Sequence, residues 1–249
     1  MTELADRIAL VTGSTQGIGR AIAAELIAKG ARVVVSSHDG DHAAAVAVEL
    51  DPTGDRALGL KLDVRERKDF EVAAAATIAK WGRIDILVNN AGITVSQDFF
   101  DITDDDWDNV QATNLRSVFI GSQVVAPTMR ANGFGRIVNH ASLAGQQGGA
   151  VAGPHYAAAK AGIIVLTKIL AAKLARDGVT VNAIAPAAIA GPVMETLPAA
   201  RLEELAGNIP VGRFGTGDEV AGLVSYLCSD RAAFITGATV DINGGLHMR

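Results

Sequence analysis

Short apolar runs alternate along the whole chain with longer segments whose apolar residues recur at helical spacing. The short runs are Ile8 to Val11, Arg32 to Ser36, Ala57 to Leu62, Ile84 to Val88, Arg136 to Asn139, Thr180 to Ile184 and Thr239 to Ile242. Their β-branched content and lack of strict alternation suit strands buried on both faces of a parallel sheet. The longer segments predict helices over Ile18 to Lys29, His42 to Leu50, Arg67 to Trp81, Asp104 to Met129, Tyr156 to Arg176 and Asp218 to Leu227. Several of these stop at a glycine, as in Lys29-Gly30, Trp81-Gly82 and Asp177-Gly178, where a left-handed residue ends a helix without a Cβ penalty. Strand and helix in alternation predict an α/β fold, a doubly wound sheet of about seven parallel strands with helices on both faces.

Composition narrows the function more than the fold. The chain has 249 residues and no Pro/Ser-rich linker, so residues 1–249 are expected to form one domain. Hydrophobic residues make up 49% and charged residues 20%, enough for a large core. A net charge of -5 with dispersed basic residues argues against a nucleic-acid partner. The single cysteine, Cys228, cannot form a disulfide within the chain. Acids (Glu3, Asp6) stand near the N-terminus where a signal peptide needs bases, and no apolar run approaches a membrane span of about 18 residues. A cytoplasmic protein without a membrane partner is the expectation.

Candidate chemistry starts with Tyr156 and Lys160, four residues apart and hence on one face if the segment is helical. A cation beside a phenol favours the phenolate, which would make Tyr156 a proton donor or acceptor near working pH. Chance pairs at this spacing are common on helices, so the surroundings must decide. Ser142, after the buried run Ile137-Val138, could hydrogen-bond the same oxygen that the tyrosine serves. The first strand runs into Thr12-Gly13-Ser14-Thr15-Gln16-Gly17-Ile18-Gly19, a turn that would let a phosphate approach the free N–H groups of a helix start. A glycine-rich turn can also be only a turn; its place in the first strand–helix–strand unit favours nucleotide binding. Asp63-Val64 and Asn89-Asn90-Ala91-Gly92 fall at the carboxyl ends of the third and fourth strands, where ligands collect in open parallel sheets. Asp63 could accept from an adenine amino group, and the paired asparagines could equally bond their own backbone. Asn114 lies inside a predicted helix, where it either faces water or has a task. Tyr226 is expected in the core, Trp81 and Trp107 in packing, and His155 turned about 100° from Tyr156 around the helix.

Taken together, Thr12-Gly13-x-x-x-Gly17-Ile18-Gly19, Asn89-Asn90-Ala91-Gly92, Asn114, Ser142, Tyr156-x-x-x-Lys160, Asn182-x-Ile184-x-Pro186 and Ile242-Asn243-Gly244-Gly245 resemble the short-chain dehydrogenase/reductase family. The nearest branch is that of the 3-oxoacyl carrier-protein reductases and the sugar, steroid and small-ketone dehydrogenases similar to them. The resemblance implies a Rossmann-type fold and hydride transfer between a nicotinamide cofactor and a ketone or secondary alcohol, without a metal. It implies that Tyr156 is the general acid or base, that Ser142 holds the carbonyl, and that Lys160 tunes the tyrosine and bonds the nicotinamide ribose. Asn114 would hold a water that links Lys160 to solvent. Cofactor contacts would come from Gly13, Ser14, Thr15, Gln16, Gly17, Ile18, Gly19, Ser37, His38, Asp63, Val64, Asn90, Ala91, Gly92, Tyr156, Lys160, Pro186 and Ile189. It also implies a homotetramer built partly from the two long central helices.

The chain departs from the family in places. Ala187 stands where the family usually has Gly, and Gly191 where it often has Thr. The interval from Ser142 to Tyr156 is one residue longer than in the carrier-protein reductases, so Gln146 to His155 would shape the site differently. Relatives that dock an acidic carrier protein have basic residues where this chain has Ala131-Asn132-Gly133 and Asp177. No acid stands at Ser37, which favours NADP(H) over NAD, although the arginines common in NADP-specific relatives are absent from Gln16 and His38 and Asp39 lies close by. An apolar lid is expected at about 187–213, with Ile189, Val193, Met194 and Leu197. Two readings compete with the enzyme. A serine hydrolase would need a nucleophile elbow, which His140-Ala141-Ser142-Leu143-Ala144 is not. A dinucleotide-binding protein without catalysis would use the same fold.

Overall fold

The computed structural model describes residues 3–149, 152–191 and 198–248. Seven strands form one parallel sheet: β1 (Ile8–Val11), β2 (Arg32–Ser37), β3 (Ala57–Lys61), β4 (Ile86–Asn89), β5 (Gly135–His140), β6 (Val179–Pro186) and β7 (Thr239–Ile242). Their order is β3-β2-β1-β4-β5-β6-β7, so the strand order reverses between β1 and β4. In this topology a crevice opens beyond the carboxyl ends of those two strands.

The helices are α1 (Gly17–Ala28), α2 (Gly40–Leu50), α3 (Arg67–Trp81), α4 (Asp104–Gln111), α5 (Ser117–Ala131), α6 (Ala144–Gln147), α7 (Pro154–Leu174), α8 (Ala199–Gly207) and α9 (Gly217–Cys228). Alternate strand residues point to opposite faces, and two core clusters follow from this. Val11, Val33, Val35, Val88 and Val138 pack under Ile22 and Leu26 of α1, Val46 of α2, and Val220 and Val224 of α9. Leu10, Val34, Leu87, Ile137 and Val181 pack under Phe70 of α3, Ile120 and Met129 of α5, and Leu174 of α7. Burying each such side chain contributes roughly 1.5–3 kcal/mol. The buried strands are therefore the platform from which the loops are aimed.

The expected elements are present within about two residues, with two corrections. The single helix expected over Asp104 to Met129 is interrupted by a π-turn at Ala112–Arg116, between α4 and α5. The physical reason is Asn114, whose side chain bonds the Ile93 backbone at both of its polar groups. Tyr226, expected in the core, is 39% exposed. The apolar stripe of α9 is Val220, Ala221, Val224, Leu227 and Cys228, and position 226 lies off it. The short α6 and α8 had no periodic signal. Gly30, Gly82 and Gly178 all take positive φ at their helix ends, as the glycine stops require. Of the expected lid, Val193, Met194 and Leu197 lie outside the described residues.

Candidate active site

The glycine turn after β1 is shaped by close approach rather than by looseness. A Cβ on Gly13 would stand 2.9 Å from Ala91 Cα, and one on Gly19 would strike the Gly13 carbonyl and the Asn90 amide. Gly17 has a φ of 52° with nothing within 4 Å of an added Cβ, so the mouth of α1 is open. Gln16 makes no side-chain cap, which leaves the first N–H groups of α1 unclaimed by it. A crowded floor, an open mouth and free N–H groups at a helix start fit a dinucleotide pyrophosphate. Ser14, by contrast, is turned inward: its Oγ donates to the Val11 carbonyl at 2.8 Å and accepts from Ser36 N at 2.9 Å. Thr12 Oγ accepts from Asn90 N and Ala91 N, each at 3.0 Å, which fixes the β4 end against the turn.

Further along the crevice, Ser37 is buried and its Oγ accepts from Asp39 N at 3.2 Å, while His38 is exposed. Asp39 caps α2, accepting from Asp41 N at 3.0 Å and His42 N at 3.1 Å. Those amides hold its carboxyl below the usual range. Asp63 is gripped by Arg65, which donates from Nε to Oδ1 at 3.0 Å and from Nη2 to Oδ2 at 2.6 Å. The Arg65 guanidinium is the main reason the Asp63 carboxyl lies below its ordinary value. Arg65 was not among the residues expected here, although its place two residues after Asp63 was a readable signal.

The remaining residues meet around Lys160. A Cβ on Gly92 would lie 2.5 Å from Asn114 Oδ1 and 3.6 Å from Lys160 Nζ, so these three converge. Asn114 is fully buried; its Oδ1 accepts from Ile93 N and its Nδ2 donates to the Ile93 carbonyl, each at 2.9 Å. It therefore has a task, that of tying the π-turn to the loop after β4. Lys160 is 3% exposed, its Nζ donates to the His140 carbonyl at 2.5 Å, and it lies 5.5 Å from the centre of the half-buried Tyr156 ring. Burial pulls the Lys160 ammonium down to about 7. Ser142 reaches the same region because α6 packs on the backbone of α7: a Cβ on Gly145 would stand 2.6 Å from the Lys160 carbonyl carbon. Ser142 Oγ accepts from Ala144 N at 3.1 Å.

His140, directly beneath Lys160, was not assigned a role from sequence; its spacing two residues before Ser142 on a strand would have placed it there. His155 is fully buried against Gly153, and neither ring nitrogen has a hydrogen-bond partner among the described residues. On the far side of the crevice, Pro186 O accepts from Leu143 N at 3.0 Å, and Ile189 bridges to Gly215. An apolar cavity of about 200 Å³ lies behind Ile189, lined also by Ile209, Val211 and Ile242. It touches none of Ser142, Tyr156 and Lys160, and so backs the loop rather than forming the reaction site.

Comparison with known proteins agrees over nearly the whole length. A family model described as enoyl-(acyl carrier protein) reductase matches residues 13–247. The chain is 41% identical over 242 residues to the 3-oxoacyl-[acyl-carrier-protein] reductase of Haemophilus influenzae, covering 97% of this chain and 98% of that protein. It is 40% identical over 242 residues to the protein of the same name from Escherichia coli, covering 97% and 98%. It is 40% identical over 245 residues to that from Pseudomonas aeruginosa, covering 98% and 99%.

Proposed function

The chain belongs to the short-chain dehydrogenase/reductase family, in the branch of the 3-oxoacyl carrier-protein reductases, and from that premise we propose that it reduces 3-oxoacyl thioesters with NADPH. It is an NAD(P)-dependent oxidoreductase acting on ketones and secondary alcohols. The observation that carries the thioester reading is the end-to-end likeness to reductases of that name.

A nicotinamide cofactor held in this crevice would supply the hydride chemistry at the substrate carbon. The chain's own residues handle the oxygen. Ser142 hydrogen-bonds the carbonyl oxygen and holds it in place, and Tyr156 gives that oxygen its proton in reduction or removes it in oxidation. Lys160, dry and with its ammonium pulled down to about 7 by burial, stands 5.5 Å from the Tyr156 ring, where it takes part in the proton transfer and would bond the ribose. Asn114 steadies the wall between Lys160 and the loop after β4. The first turn of α1 would hold the pyrophosphate, and Asp63 with Val64 would receive the adenine end.

The phosphorylated cofactor is favoured by the lack of an acid at Ser37 and by the capping role of Asp39, whose carboxylate is turned onto α2. The acyl carrier is a separate matter. Asp177, where docking relatives have a base, is paired with Arg130 Nε at 2.6 Å, so among the described residues this position offers no unpaired cation to an acidic carrier protein. We therefore infer that thioesters of small carriers are turned over as well as those of a carrier protein. Cytoplasmic location is part of the same proposal; among the described residues no helix is long and apolar enough to cross a membrane.

The experiment is a turnover screen with NADPH against 3-oxoacyl thioesters on coenzyme A and on a carrier protein, beside keto-sugars and keto-steroids. Thioesters should lead, and the carrier protein should confer less than a tenfold advantage. Tyr156→Phe should keep its cofactor affinity and lose at least about 100-fold in turnover, the scale of a lost general acid. Preference for a keto-sugar or steroid would replace the substrate assignment, and near-normal turnover in the variant would remove Tyr156 from the reaction.

A further inference from the structure

His140 joins two parts of the site that lie far apart in the sequence. Its side chain shares a sheet face with Val138, the face packed by α1 and α9, and so points toward the glycine turn. Asn90 fixes the state of its ring. The Asn90 Nδ2 donates to the Thr12 and Gly13 carbonyls, each at 3.0 Å, and because carbonyl oxygens only accept, the amide can face no other way. Its Oδ1 therefore meets His140 Nδ1 at 2.9 Å, and that nitrogen must carry the proton. Burial first, and the Lys160 charge second, hold the imidazole down to about 3, so the ring is neutral wherever the enzyme works. The backbone carbonyl of the same residue accepts from Lys160 Nζ at 2.5 Å.

We propose that His140 is a positioning residue: by clamping its ring to Asn90 it holds the strand end whose carbonyl anchors Lys160, and so keeps the lysine in register with the phosphate turn. An apolar side chain here would leave Asn90 Oδ1 without its donor and let both the amide and the strand end move. A buried acceptor left without a partner is costly, and the cheapest relief is an amide rotation that also abandons the Thr12 and Gly13 carbonyls. Lys160 would then relax toward water and hold its proton more tightly. The groups facing Lys160 from the surrounding elements are Gly92, Asn114, the His140 carbonyl and the backbone of α6 at Gly145, with Tyr156 on its own helix. Tyr156 is the titratable one among them; facing the His140 ring it is Lys160.

The proposal rests on Tyr156 and Lys160 forming the proton-transfer pair, but cofactor affinity is measured without turnover, so the two ideas fail separately. The test compares His140→Met, which has no donor, with His140→Gln, which keeps an N–H at similar length. For His140→Met, the Kd of NADPH by fluorescence quenching should rise about tenfold, the scale of one lost hydrogen bond. The midpoint of the pH profile for alcohol oxidation should move up by at least about 0.5 unit, as expected for a re-solvated lysine. His140→Gln should recover most of both. In an Asn90→Ala background, His140→Met should have no further effect on Kd, since coupled residues are not additive. The proposal is overturned if His140→Met leaves Kd within twofold and the midpoint unmoved, if Met and Gln lose equally, or if the two sites are additive. If His140→Met does not fold, Asn90→Ala alone must reproduce the loss of affinity and the pH shift; failure to do so has the same meaning.

Discussion

At the scale of single residues, the site depends on what water is kept away from. Lys160 is buried and has no carboxylate partner among the described residues, and burial pulls its ammonium down to about 7 from the ordinary 10.5. Between those values the unfolded chain binds a proton that the folded chain does not, so stability rises with pH across that window. The burial cost is fully present below pH 7 and is relieved as pH climbs toward 10. Urea unfolding of the parent and of Lys160→Met at pH 7 and pH 9.5 should therefore show the parent gaining relative to the variant; parallel behaviour would mean that the lysine is not held dry. Cofactor choice also belongs at this scale. Ser37→Asp places a carboxylate where a ribose 2′-hydroxyl would bond it and a 2′-phosphate would be repelled. The ratio of Kd values should turn from NADPH toward NADH, and a parent protein that already prefers NADH would end the NADP assignment.

At the scale of elements, a few glycines decide how close the parts of the site come. Gly145 brings α6 against the backbone of α7 at Lys160 and Ala161, and this sets the Ser142 loop beside α7. A methyl group there meets backbone, which cannot turn aside as the end of a flexible side chain could. Gly145→Ala should push α6 outward and lower kcat by about 10–100-fold, since a misplacement near 1 Å can cost that much. Cofactor Kd should change far less, because the phosphate turn lies on the other side of β4. Equal losses in kcat and in cofactor binding would point to general misfolding instead. The π-turn between α4 and α5 is the second such device: it turns Asn114 inward, where a regular helix continuing from α4 would present a different face.

At the scale of the whole molecule, the described surface carries apolar side chains that the core does not need. Phe119 on α5 is 46% exposed, and Val165 and Ile169 on α7 are 56% and 57% exposed. Exposed large apolar residues on neighbouring long helices favour burial against another copy. We expect a homotetramer of dihedral symmetry, a common closed arrangement of identical chains. Light scattering at micromolar concentration should give four times the chain mass, and a monomer would refute it. Glutamate at Val165 and Ile169 together should lower the assembly state without disturbing α7, whose inward apolar residues include Ala159, Ile163, Ala171 and Leu174.

The strands, the glycine-ended helices and the linear motifs were legible in the sequence because each rests on local rules: apolar runs for buried strands, left-handed glycines for helix ends, and fixed spacing for Tyr156 and Lys160. Ser142, Asn114 and the Asn89–Gly92 segment could be named for the same reason, as marks at strand ends and helix interiors. What joins them could not be read that way. The His140 carbonyl under Lys160 and the Asn90 amide between two carbonyls and an imidazole depend on which strands are neighbours and on side-chain direction. The exposure of Tyr226 depends on the rotation of α9 against the sheet, which one stripe of apolar residues decides. The proton equilibria of Lys160 and His140 follow first from burial, with the Lys160 charge as a second cause at His140, and burial is a property of the packed chain: the identity of a residue sets what it can donate or accept, while the tertiary structure sets how dry it is when it does so.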